Sequence, residues 1–122
     1  MTTFTREDYE LAAKAVGFID DQTSDDEDSL GLRRNGQGIF YVVGKRGWHN
    51  WNPPEDDGDA LRLAVKLDMN IGNGPGHSIE ALAVSEHDGG VYGGVEQKRE
   101  DAEAATRRAI FRAAIAIGKA MP

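Results

Sequence analysis

Apolar residues recur at helical spacing in three stretches of the chain and at strand spacing between them. Tyr9, Ala12, Ala13 and Val16 fall at i, i+3, i+4 and i+7, one stripe of a helix placed at about residues 6–16. Thr5 stands before it as an N-cap, Asp8 completes a capping box, and Gly17 follows where a left-handed cap belongs. Ala60, Leu63, Ala64 and Leu67 define a second helix over 57–68. Leu61 and Val65 widen its stripe to half the circumference, leaving Arg62, Lys66 and Asp68 to face water. A third helix covers 100–119, with alanines and isoleucines from Ala102 to Ile117 on one side and Arg107, Arg108 and Arg112 on the other. Its small residues predict a close neighbour.

Between the helices the period changes to two. Leu30 and Leu32 alternate with polar residues, Asn35-Gly36 supplies a tight turn, and residues 38–44 (GIFYVVG) form a strand apolar on both faces. Such a strand belongs in the middle of a sheet. The stretch 45–56 reads as an irregular connector, because Pro53 and Pro54 forbid a continuing strand. Met69 to Ile71 allow one short strand, and Gly72, Gly74, Pro75 and Gly76 read as a loop. Residues 77–85 and 90–97 form a second hairpin around Asp88-Gly89, and Gly93-Gly94 within it mark a bulge or the close approach of another group. The order α-ββ-α-ββ-α predicts a single α+β domain over 1–122, an α/β/α sandwich with three helices and one four-stranded, mainly antiparallel sheet.

Composition narrows the chemistry. The 122 residues include no cysteine, so disulfides, thiolate nucleophiles and cysteine-based zinc sites are excluded. The apolar runs fall far short of the roughly 20 residues that cross a bilayer, and the first ten residues lack a leader pattern, which together predict a cytoplasmic protein without a membrane partner. The formal charge of -7 is local: six acids lie within 20–28 (DDQTSDDED), and the remaining 15 acids face 14 bases. That segment is expected to be a mobile acidic loop, with Asp25, Asp26, Glu27 and Asp28 as a candidate interaction surface. No basic stripe accompanies the aromatics, so direct nucleic-acid binding is not expected.

Two other features could carry chemistry. Trp48, His49, Trp51 and Asn52 could form an aromatic pocket with polar handles for a flat ligand, although stapling of the connector onto the second helix and the sheet edge is the simpler role. Asp56, Asp57 and Asp59, with Glu55, could hold a hard cation, but a helix N-terminus already favours acids there and the calcium-loop spacing is missing. His49, His77 and His87 share no zinc-type spacing, and GNGPGH at 72–77 leads into a strand, so it is a turn and no phosphate cradle. The arginines of the last helix are expected to form a solvated face paired with Glu100 and Glu103, with an interface to an acidic partner as the alternative. No catalytic grouping, metal site or cofactor is expected.

The run Trp51 to Leu67 (WNPPEDDGDALRLAVKL), with Ala104 to Ala114 (AATRRAIFRAA), resembles the small phage-encoded proteins of the phage ABA sandwich domain family. The resemblance implies an α/β/α layered fold in a phage or prophage genome and no established activity. The acidic insert and the Pro53-Pro54 pair are where this chain looks unusual for the family. The expected role is that of a non-enzymatic accessory protein acting by binding or assembly on an unknown host or phage protein, with a homodimer possible. The alternatives are a counter-defence inhibitor that engages a host protein through the acidic loop, and a sequestrant of a nucleotide-like molecule.

Overall fold

The computed structural model describes residues 4–17, 31–34, 40–44, 47–98 and 101–122, with 31–34, 40–44 and 47–49 as backbone. The expected acidic loop at 20–28 lies outside the described residues. In chain order the elements are α1 (Arg6–Ala15), β1 (Gly31–Arg34), β2 (Phe40–Gly44), β3 (Gly47–Asn50), α2 (Asp57–Lys66), β4 (Asn70–Gly74), β5 (Ser78–Val84), β6 (Val91–Gln97) and α3 (Ala102–Ala120).

The chain is α+β, and the expected single four-stranded sheet is replaced by two three-stranded antiparallel sheets, β1-β2-β3 and β4-β5-β6. Two strands account for the difference. β3 occupies the stretch read as an irregular connector: the prolines follow the strand and end it, and Trp48 and His49 pair with Val43 and Val42 of β2. β4 begins in the short strand allowed over 69–71 and continues through residues read as a glycine loop, with Asn70 opposite Leu82 and Gly74 opposite Ser78. Its side chains have little β-preference, so β5 supplies the order through the backbone ladder. Both strands lack the alternation on which a reading by periodicity depends.

Helix ends follow local chemistry closely. The Thr5 hydroxyl accepts from the Asp8 amide at 3.2 Å while the Asp8 carboxylate accepts from the Thr5 amide at 2.9 Å, the anticipated capping box. Gly17 takes φ +83°, and its amide donates to the Lys14 carbonyl. Asp56 caps α2 by accepting from the Asp59 amide at 2.8 Å, and Asp101 caps α3 through the Ala104 amide. α2 closes with the Met69 amide on the Ala64 carbonyl and the Asp68 amide on the Val65 carbonyl, a Schellman motif. That motif puts Asp68 at φ +52°, a conformation glycine adopts at less cost.

α3 is the hub. It packs on β5 and β6, and α1 and α2 pack on it. Against the sheet, the closest approach is made by small residues: Ala81, Ala83 and Gly94 on the strands, and Ala105, Ala109 and Ala113 on the helix. A methyl group built on Gly94 would lie 2.2 Å from the Ala109 carbonyl oxygen, and one on Gly118 would lie 2.0 Å from the Leu11 carbonyl oxygen. The close approach read from Gly93-Gly94 is therefore real, and α3 itself is the approaching group. Because α3 has three neighbours, its burial exceeds the single stripe expected and takes in Phe111 and Ile115. α2 differs in the opposite sense: Ala60, Leu63 and Ala64 are buried, whereas Leu61 and Val65 are 63% and 71% exposed.

Two predictions follow from these contacts. Gly118→Ala gains up to about 1 kcal/mol of helix propensity but forces α1 and α3 apart, a cost on the order of 3 kcal/mol that wins. Gly94→Ala is expected to lose a similar amount and Gly72→Ala, which meets nothing within 4 Å, close to none, as read by urea unfolding. Asp68→Gly should raise stability by about 1 kcal/mol by relieving the left-handed backbone, seen as a higher urea midpoint at unchanged slope.

Candidate functional site

The connector after β3 is tied down residue by residue. Trp51 is 4% exposed and stands in a ring cluster with Tyr9 (centroids 6.2 Å apart) and Phe111 (6.3 Å), to which Phe4 adds an edge-on contact with Phe111 at 4.8 Å. The aromatic chosen from sequence as a ligand platform thus contributes to the core between α1 and α3. Pro53 and Pro54 are buried behind it. Asn52 is the polar counterpart: its side-chain oxygen accepts from the Tyr9 hydroxyl at 2.7 Å, and its carbonyl accepts from the Glu55 and Asp56 amides. Trp48 and His49 are placed as backbone on β3, and the side-chain pocket proposed for them lies outside the described residues.

The acids at the start of α2 have separate duties. Asp56 caps the helix. Asp57 is exposed and pairs with Arg107 at 2.5 Å, while Arg107 Nε also donates to the Pro54 carbonyl. Asp59 is only 3% exposed, accepting from the Asn52 amide at 2.9 Å and from Arg62 at 2.7 Å. A buried carboxylate needs such donors, since an unpartnered one costs several kcal/mol, on the order of 3 to 5. It locks the connector to α2. Among the described residues no three metal-ligating side chains gather.

The arginines of α3 find partners other than those expected. Arg108 Nε donates to Glu96 Oε1 at 2.6 Å, and Arg112 Nε lies 3.3 Å from Glu96 Oε2 with its guanidinium over the Phe4 ring. Glu96, on β6, therefore draws two cations of α3 onto the sheet. With Arg107 held by Asp57, the row is a set of interelement ties. The reading of a solvated face missed these partners because the facing acids Asp57 and Glu96 lie on other elements, invisible to helical spacing; Glu100 lies outside the described residues.

A different surface emerges on the sheet. Along β5 and β6, Ala81, Ala83 and Gly94 turn toward α3, so Leu82, Val84, Val91 and Val95 turn the other way. Val84 and Val91 form a cross-strand pair, 60% and 66% exposed. Ile79 lies on the same side as Ala81 and Ala83 and packs against the core, while the opposite side leaves Val84, Val91 and Val95 exposed. Leu82 spreads across Gly93, where an added methyl group would meet it at 2.7 Å. At the Val84–Val91 end a cleft of about 960 Å³ opens, floored by Val16, Leu67 and Ile117 from the ends of the three helices and edged by Lys14, Lys66, Asp68 and Glu86. The cleft mixes apolar residues with charged and polar ones, the buried Ser85 among them. Sequence reading passed over this surface, although the alternation of alanine with Leu82 and Val84 was the available signal.

Tyr9 gives a handle on the connector. Burial, reinforced by the negative charges of Glu55 and Asp8, raises its hydroxyl above the ordinary value near 10. The folded chain therefore holds this proton longer than the unfolded chain. Its contribution is intact below pH ~10 and lost as pH rises through the folded value. In an alkaline absorbance titration, Tyr9→Phe should remove a late-titrating component, and the variant should lose less stability than the parent above pH ~10.

Set against known proteins, the chain matches no family model, no curated protein and no solved structure.

Proposed function

We propose that the chain is a non-enzymatic phage or prophage accessory protein that acts by binding or assembly in the host cytoplasm. Its partner is a host or phage protein, and the contact is made by the outer side of the β4–β6 sheet with the adjoining cleft. The α/β/α layering of the resembled family is part of the same reading. The observation that carries it is the outward aliphatic pair: Val84 and Val91 stand exposed on the sheet side turned away from α3, beside a cleft lined by both apolar and polar residues. Contiguous aliphatic surface bounded by polar groups is characteristic of protein contact sites. The polar residues around the connector support the assignment from the other side. Asn52, Asp59, Arg107 and Glu96 are committed to bonds between elements, and removing any of them would loosen the fold. No helix among the described residues is long and apolar enough to cross a membrane.

The test compares tagged forms for specific co-purification from the host cell: the parent chain, Val84→Glu with Val91→Glu, a chain lacking residues 22–28, and Trp48→Ala. The expected result is loss of the bound protein in the double valine variant alone, with an unchanged unfolding midpoint. Loss confined to the deletion would replace this reading with the acidic-loop inhibitor. Release of a small molecule, abolished only by Trp48→Ala, would replace it with the sequestrant.

A further inference from the structure

We draw no further inference here: the strongest candidate, the aliphatic outer face of the β4–β6 sheet with the cleft at its Val84–Val91 end, belongs to the site already described, and nothing in the structure shows what covers it.

Discussion

Everything in the core depends on how near the α3 backbone comes to its neighbours. At Gly94 and Gly118 main chain meets main chain with no room for a methyl group, and alanines fill the intervening positions. Small residues place dispersion contacts along the whole length of the helix, but they bury little area each. Bulk is supplied elsewhere, by Phe111, Trp51, Leu63 and the isoleucines of α3. The two arrangements are complementary. Tight spacing fixes the distance between layers, and the rings fill the volume that this spacing leaves beside α1.

Polar groups inside the structure obey the same economy. The connector between β3 and α2 is irregular backbone lying against the core, so its amides and carbonyls must find partners away from any ladder. Asp59 and Tyr9 serve Asn52, and Arg107 serves Pro54. Glu96 ties β6 to α3 through Arg108 and Arg112. In each case a charged or amide side chain bridges elements far apart in sequence. These ties give an account of the polar residues that requires no catalytic role.

The parts of the fold written in short-range chemistry were legible in advance. The Thr5–Asp8 capping box, Gly17, the acids at the start of α2 and the β5–β6 hairpin each depend on residues a few positions apart, and each was read correctly; the left-handed Asp68 that closes α2 was not. β4 was read only as a possible short strand over 69–71; its continuation to Gly74 was missed because Gly72 and Asn73 carry no strand preference and only pairing with β5 makes them a strand. β3 was missed because Pro53 and Pro54 were allowed to disqualify residues that precede them. The exposure of Leu61 and Val65 was invisible for another reason: a stripe shows which residues are apolar, while the neighbours available decide which are covered. For the candidate site, sequence singled out Trp51 and Asn52, and both proved central to one cluster, as packing and hydrogen-bonding residues. The outward valines were overlooked because exposed aliphatics and core aliphatics look alike along a single strand.

The position of α3 in the chain has a kinetic meaning. This helix is made after every element it organises, and its Phe111 and Gly118 contact Tyr9 and Leu11, about a hundred positions earlier. Contacts of such separation close slowly, since loop-closure entropy must be met before they reward it. On the ribosome, α1 can coil and the hairpins can pair, yet their apolar faces have no cover until α3 clears the exit tunnel. Interior formation is thus deferred until α3 has been made, and a chain stalled before it would present alanine, valine and aromatic surface to whatever chaperone or protease stands nearby.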